Sequence, residues 1–520
     1  MMLRAWPARH RFGLAWLPKI VPEFLWDLSA AEDNGGMTRT RKVALALASA
    51  AALVLTVVTS AAGAVAGTGS PWGTAIEVPG IDPLNTSFGW LSSISCPAVG
   101  DCTAGGSYSD GSGHDQAYVV DQVSGTWGTA IEVPGTAALN TGDGGDNTVS
   151  VSCSSPGNCA AGGDYTVASG DDRPFVADET DGVWGTAIEV PGAAGLIKGL
   201  DATVSAVSCV PGTTLDCAVA GSYADAAGHG QAFVADAARG VWGTAIEVPG
   251  TPALGSSAGA SVLSCPAAGA CTVGGTYADS AGDFQPFVAR EGGGTWGQAV
   301  KIPGAAALNQ GPSSQVNGLS CSSAGNCSVA GTYDSDPTDQ HFQAYVDTEK
   351  NGGWATAVAM PGLTALNTGL VAQEYTLACT SAGNCAAGGY YTDSSGAEQA
   401  FVINQTAGSW GSAIEVPGSA ALNQAGNGGI RSVSCASSGN CVAGGYFAKF
   451  HTGHTQALVA DETAGVWRKA QEVPGTAALN TGNQGQVNAV SCVRAATCAL
   501  GGIYNESGTF LVEPFVSSQG

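Results

Sequence analysis

From Trp72 onward one pattern of hydrophobic and polar positions recurs eight times, and each copy reads as four short strands separated by turns. A copy opens on a segment such as Trp72–Val78, W-G-T-A-I-E-V, in which Trp72, Thr74, Ile76 and Val78 alternate with Gly73, Ala75 and Glu77, predicting a two-faced strand. Pro79-Gly80 stops it, as Pro-Gly stops every later copy. The second segment, V-x-S-V-S-C, ends at a cysteine, as in Leu91–Cys96, Val149–Cys153 and Val487–Cys492. The third begins at another cysteine and carries a glycine four residues on, at Gly106, Gly163, Gly221, Gly275, Gly331, Gly389, Gly445 and Gly502. Glycine inside a strand predicts close approach of another backbone or a bulky side chain. An aromatic follows two residues later in every copy, from Tyr108 to Phe447 and Tyr504. The fourth segment is Q-A-F-V-like, as at Gln116–Val119, Gln231–Val234 and Gln399–Val402. The opening tryptophans (Trp72, Trp127, Trp184, Trp242, Trp296, Trp354, Trp410, Trp467) set a period of about 57 residues.

Four strands in one such unit enclose too little core to stand alone, so each sheet must be covered by its neighbours. Stacking twisted four-stranded sheets about an axis achieves this, which is the β-propeller solution. The ends of the pattern favour a closed ring over an open row. It opens on a lone Trp-bearing strand, Trp72–Val78, and closes on Leu511–Val516, a fourth segment with no Trp-strand after it. The expected fold is all-β: an eight-bladed β-propeller of four-stranded antiparallel blades, closed by the N-terminal strand pairing with the last blade. Closure of this kind removes exposed edges. The units S-V-S-C…G-N-C-x-A-G-G-x-Y and W-G-T-A-I-E-V-P-G resemble the repeats of uncharacterised, secreted bacterial β-propeller-like proteins. The resemblance covers residues 72–518 and implies architecture only. No repeat combines the Gly-His and Trp-Asp signatures of a WD40 blade, and Asp393-Ser394-Ser395-Gly396 lacks the Thr-Trp that completes a sialidase Asp-box.

All 16 cysteines fall in close pairs, one per unit. Cys96 goes with Cys102, Cys153 with Cys159, Cys209 with Cys217, Cys265 with Cys271, Cys321 with Cys327, Cys379 with Cys385, Cys435 with Cys441 and Cys492 with Cys498. An even count with none left over reads as disulfides within each unit. Zinc would need four ligands per metal, and no histidine recurs beside the pairs. Loops this short stabilise by only about 2 kcal/mol each, so the bridges pin turns and the fold originates elsewhere.

Ahead of the repeats, residues 37–66 have the parts of a signal peptide: Arg39, Arg41 and Lys42, an apolar run Val43–Thr59, then Ala64-Val65-Ala66 as a cleavage site. Residues 1–36 fit no targeting pattern and read as an over-extended N-terminus, leaving 67–520 as a single propeller domain. Secretion to the extracellular space follows, with no stable membrane span after signal removal, since the apolar run sits at the lower limit for a spanning helix. Residues 67–520 carry 11 Lys+Arg against 38 Asp+Glu. That excess of acid argues against nucleic acid, which needs a basic footprint.

Candidate chemistry is sparse. Glu77, Glu132, Glu189, Glu247, Glu415 and Glu472 share one position of the Trp-strand, where other copies hold Lys301 and Ala359, as expected for a solvated face. Asp110, Asp225, Asp279 and Asp393 sit beside Gly and Ser in hairpins and suit Asx-turns better than calcium loops. His114, His229, His341, His451 and His454 read as turn-surface residues, and no zincin or phosphate-loop motif occurs. No catalytic residue, metal ligand or cofactor is assigned.

After Pro-Gly most copies carry Leu-Asn (Leu84-Asn85, Leu139-Asn140, Leu308-Asn309, Leu366-Asn367, Leu422-Asn423, Leu479-Asn480) followed by variable loops. In a ring these gather on one face, the leucine plugging between blades and the asparagine capping the turn. With Trp90 and Tyr375 among Asn, Gln, Thr and Gly, that face suits a neutral polymer such as a glycan. The expected function is a secreted, monomeric, non-catalytic binding protein engaging a glycan or cell-surface protein through this face. The alternative is an extracellular polysaccharide hydrolase or lyase using carboxylates near the axis: Asp143, Asp146, Asp201 or Glu374. A catalytic site needs one or two copies to diverge, and only 193–204 and 369–376 do so.

Overall fold

A computed structural model describes residues 71–142, 149–199, 201–338, 341–449, 454–508 and 511–520. The signal-peptide and over-extension readings lie outside these residues. Eight antiparallel sheets succeed one another along the chain. In the first blade Gly89–Ala98 pairs with Asp101–Ser109, which pairs with Asp115–Val123, whose far edge takes Thr126–Trp127 and Ile131–Glu132. Strands equivalent to Gly89–Ala98 pack against one another from blade to blade and so line the axis. The last blade, Gly485–Arg494, Thr497–Asn505 and Val512–Ser518, is completed by Ile76–Glu77 from the start of the pattern. Ile76 faces Val516 and Glu77 faces Phe515, so the ring is closed as the repeat pattern requires.

Rings of hydrogen bonds between blades fix that closure. On the outside, the Ala N–H of each Trp-strand donates to the Pro carbonyl of the preceding Pro-Gly, from Ala130 to Pro79 through to Ala75 to Pro474, at 2.6–2.8 Å in all eight copies. Beside the axis, the Ser before the first cysteine accepts the N–H of the next blade's cysteine. Ser95 accepts from Cys153, Ser434 from Cys492 and Ser491 from Cys96, each at 3.0 Å. The eighth place holds Ala378, which has no hydroxyl to offer Cys435.

The outer bonds explain a departure from the expected alternation. Within Trp72–Val78 the buried residues are Trp72, Ala75 and Val78, while Ile76 is 44% exposed. Each Trp-strand is broken into two pieces because its central alanine turns its N–H toward the neighbouring blade instead of its own ladder.

The invariant glycine of the third segment has the predicted cause. A Cβ on Gly389 would lie 1.9 Å from the Gln373 carbonyl, and one on Gly106 1.8 Å from the Trp90 carbonyl. Among the described residues seven axial strands carry a bulge at this point, between Leu91 and Ser93 or between Glu374 and Thr376, for example, which pushes that carbonyl inward.

All eight expected disulfides form, each within its own blade. Cys96 is bonded to Cys102, Cys153 to Cys159, Cys209 to Cys217 and Cys265 to Cys271. Cys321 is bonded to Cys327, Cys379 to Cys385, Cys435 to Cys441 and Cys492 to Cys498. Every bridge spans the hairpin that joins the first two strands of its blade. Cys209 and Cys217 lie directly opposite each other across the ladder despite their longer loop, as do Cys153 and Cys159 and Cys321 and Cys327. The bridges therefore link strands that are already paired, which is why they pin turns without creating the sheet. The second cysteine is the more enclosed of the pair in the first and fifth blades, where Cys102 and Cys327 belong to the cores that Cys96 and Cys321 only flank. In the fourth blade both Cys265 and Cys271 are buried.

The repeated glutamates are not on a solvated face. The aromatic hydroxyl of the same blade donates to them: Tyr108 to Glu132, Tyr165 to Glu189, Tyr223 to Glu247, Tyr391 to Glu415 and Tyr504 to Glu77, at 2.6–3.2 Å. Two of the exceptions compensate. Lys301 replaces the glutamate and sits 5.3 Å over the Tyr277 ring, and Phe447, lacking a hydroxyl, leaves Glu472 to Lys449.

Candidate functional site

The connections from each outer strand to the next axial strand meet the second-to-third-strand hairpins on one face, opposite the disulfides. The Pro-Gly turn runs into a single helical turn such as Thr136–Leu139, and its leucine packs on the inter-blade core as expected. The asparagine does more than cap this turn. Asn423 Nδ2 donates to the Glu398 carbonyl of one blade while its Oδ1 accepts the Ala448 N–H of the next. Asn140, Asn309, Asn367 and Asn480 join the same two positions of their own blades. They staple neighbouring blades, which makes the face a rigid platform.

The hairpin aspartates behave as Asx-turn residues. Asp110 Oδ1 accepts the N–H groups of Ser112 and His114 at 2.7 and 3.0 Å, and Asp225, Asp279 and Asp393 repeat this geometry. His114, His229 and His341 sit against the aspartates of these same hairpins. His451 lies outside the described residues, as do Asp143 and Asp146.

The remaining candidate carboxylates do not come together. Asp201 is exposed in the connection to the third blade, where it accepts the Asp172 N–H. Glu374 is 0% exposed in the core between the fifth and sixth blades. It occupies the place held by Leu91, Val204, Ala260, Val316, Ile430 and Val487 in other axial strands, opposite the invariant glycine. Its carboxyl fills space left by Gly318, whose Cβ would come within 2.8 Å of it, and neither oxygen has a hydrogen bond of good geometry. Burial pushes its pKa up to about 8, against a small downward pull from the Thr376 N–H. A carboxyl so enclosed cannot touch a polymer on the loop face.

What does reach that face is a sector of aromatic and amide side chains. Around most of the ring the bulged residue of the axial strand is small or an amide: Ser92, Ser205, Ser261, Asn317, Asn488. In the sixth blade it is Tyr375 and in the seventh Arg431. The residue before the repeated aromatic on the second strand changes alongside, from Ser107, Ser222, Thr276 and Thr332 to Tyr390 and Tyr446. Gly429 makes room, lying 3.2 Å from Tyr390 Cβ and 3.4 Å from the Tyr446 hydroxyl by its virtual Cβ. Tyr375 and Tyr390 rings lie 5.8 Å apart, and the Tyr375 hydroxyl donates to Gln373. The Arg431 guanidinium sits 4.8 Å from the Tyr375 ring and 5.2 Å from the Tyr446 ring. Glu398 lies nearby, its pKa raised by burial and pulled down by the Arg431 charge and the Tyr446 hydroxyl.

The sector continues through Gln486 and Asn488 of the eighth blade, which bond each other, to Phe88 and Trp90 of the first, whose rings stack at 5.7 Å and 15°. Between the seventh and eighth blades it opens a depression of about 400 Å³ lined by Arg431, Tyr446, Thr455, Asn483 and Gln486. Grooves of about 260, 470 and 410 Å³ on the disulfide side recur between successive blades and are lined by turn residues of the repeat itself. They follow from the architecture, whereas the aromatic sector departs from it. Tyr375 and Trp90 were readable from the sequence. Tyr390, Tyr446 and Arg431 were missed because a strand-interior position beside a glycine pair looks like core, and the bulge that turns Arg431 outward has no sequence signature.

The fold and this loop face define an eight-bladed propeller with one sector of one end set apart from the repeat. No protein-family model and no curated protein matches the chain. Solved structures similar to it include Sqt1 of Chaetomium thermophilum (TM-score 0.46, 9% identity, 84% of this chain and 97% of that one). A protein of unknown function from Dyadobacter fermentans gives a TM-score of 0.41 at 9% identity over 86% of this chain and 99% of that one. A PL25 ulvan lyase gives 0.40 at 10% identity over 80% and 96%.

Proposed function

We propose that this is a secreted, non-catalytic glycan-binding propeller, and that the sector from Tyr375 through Trp90 is its binding surface. The observation that carries the reading is the clustering of aromatic, arginine and amide side chains at the loop ends of four consecutive blades, from Tyr375 to Trp90. Tyr375, Phe88 and Trp90 offer ring surface for the C–H faces of sugars, with Tyr390 and Tyr446 buried beneath them at 8% and 6% exposure. Gln373, Gln486 and Asn488 offer donors and acceptors for hydroxyls. The asparagine staples hold this surface rigid, so little order is lost on binding. An extended succession of subsites suits a polymer better than a compact metabolite. Export, on which the reading also depends, is supported by the basic, apolar and small-residue pattern of residues 37–66 and by eight disulfides.

The test is binding to a polysaccharide panel by affinity electrophoresis, followed by calorimetry on the best ligand. Tyr375→Ala combined with Trp90→Ala is expected to weaken binding by at least tenfold, since each stacked ring contributes about 1 kcal/mol. Absence of binding across the panel, or an affinity indifferent to both substitutions, would refute the proposal.

A further inference from the structure

We infer that Arg431 makes this surface selective for a saccharide carrying an anionic group, a carboxylate or a sulfate ester, held by the guanidinium fork. The inference rests on the glycan-binding reading above and names the class of glycan.

Three observations lead to it. First, Arg431 is the half-buried basic side chain that forms no salt bridge, although the Glu398 carboxylate lies near enough to feel its charge. Among the described residues Arg173 pairs with Asp171 and Lys449 with Glu472, and the other arginines and lysines are exposed. Arg431 makes no ion pair, and its Nε is shut off from solvent with no acceptor. A ligand from solvent does not reach Nε, so its acceptor oxygens meet the two terminal guanidinium nitrogens. Second, the guanidinium is held between the Tyr375 and Tyr446 rings at 4.8 and 5.2 Å. Stacking fixes the plane of the fork and leaves its edge for a bidentate acceptor, the geometry that carboxylate and sulfate oxygens satisfy. Third, the position has no structural need for a cation. Asn488 and Asn317 at the same bulge bond the next blade's backbone, to the Leu91 and Glu374 carbonyls, and serine suffices in three other blades. Arg431 instead lines the open depression beside Thr455, Asn483 and Gln486, amide and hydroxyl groups suited to the neutral part of the same sugar.

The experiment is titration calorimetry on the intact protein with four probes: oligogalacturonate, its carboxyl-reduced form, and a sulfated galactan oligosaccharide with its desulfated counterpart. At least one anionic member is expected to bind ten times more tightly than its neutral partner, and which pair shows the difference separates carboxylate from sulfate. Arg431→Gln should bring the ratio of anionic to neutral affinity in that pair down to about one. Arg431→Lys, which keeps the charge and loses the fork, should fall between. Thermal melts of both variants establish that they are folded. Equal binding of both members of each pair, or discrimination that survives Arg431→Gln, overturns the inference. If neutral probes bind and lose affinity on Tyr375→Ala without any anionic preference, only this inference fails. If nothing binds, the reading of the loop face fails with it.

Discussion

Replacing Glu374 by glutamine isolates the energetic cost of a single buried carboxyl. The side chain is wholly enclosed, and burial raises its pKa from 4.5 to about 8. A raised acid pKa means that the folded protein holds the proton more tightly than the unfolded chain. The associated stability is fully present below about pH 4.5 and is lost as pH rises through about 8. At pH 7 the unfolded glutamate has released its proton and the folded one has kept it, a difference of about 2.5 pH units or roughly 3 kcal/mol relative to pH 4. Glutamine has the same shape and no titration, so Glu374→Gln should lose this slope. Its unpartnered amide adds an offset that does not vary with pH, and the diagnostic quantity is therefore the change in the difference between the two proteins. For a propeller of about 450 residues the unfolding entropy is roughly 1 kcal/mol per kelvin, so 3 kcal/mol corresponds to about 3 °C in Tm. Scanning calorimetry at pH 4, 5.5 and 7 should show the variant gaining about that much on the wild type between the first value and the last. A difference that stays constant over this range would refute the argument that Glu374 is desolvated in the folded state. Asp178 and Asp347, raised to about 6, and Glu179 and Glu513, raised to about 7, titrate in the same direction, so the wild type itself should melt highest in mild acid.

Other expectations follow from the bonds between blades. Ala378→Ser supplies the hydroxyl absent from the axial series and should stabilise by about 1 kcal/mol, read as a higher denaturation midpoint at unchanged m. Asn423→Ala removes a staple that serves the Glu398 carbonyl and the Ala448 N–H, and should cost about 1–3 kcal/mol in the same assay. Deleting residues through Gly80 removes Trp72, which is 4% exposed, and the Ala75 to Pro474 bond. It should lower stability by at least about 3 kcal/mol and expose the last blade to limited proteolysis. A truncated protein that melts with the intact one would contradict ring closure.

Much of the architecture was legible because a repeated sequence shows its own constraints. Strand count, disulfide pairing, circular closure and the reason for the invariant glycine could all be read from the spacing of Trp, Cys and Gly. The alternation assigned to Trp72–Val78 failed because the outer strand shares its hydrogen bonds with a neighbouring blade, and period-two reasoning assumes a strand that serves one ladder. The Glu77 series was misread from its tolerance of Lys301 and Ala359. Comparing copies pairwise would have exposed the link: the copy with Lys301 keeps Tyr277 beneath it, and the copy with Phe447 provides Lys449. Of the binding sector, the divergence of 369–376 was visible, and it contains Gln373, Glu374 and Tyr375. The same short stretch places an acid in the core and an aromatic at the rim. Only the bulge separates those two fates, and a bulge is a property of the paired strands.

The join between Ile76–Glu77 and Val512–Ser518 also governs how the molecule comes into being. The first ribbon to emerge during synthesis has no mate until almost the whole chain has followed it. Meanwhile it is an adhesive end, and every unfinished copy nearby offers the same vacancy. Crowded production therefore favours chains that lend this ribbon to one another, and dilution favours each ring completing itself.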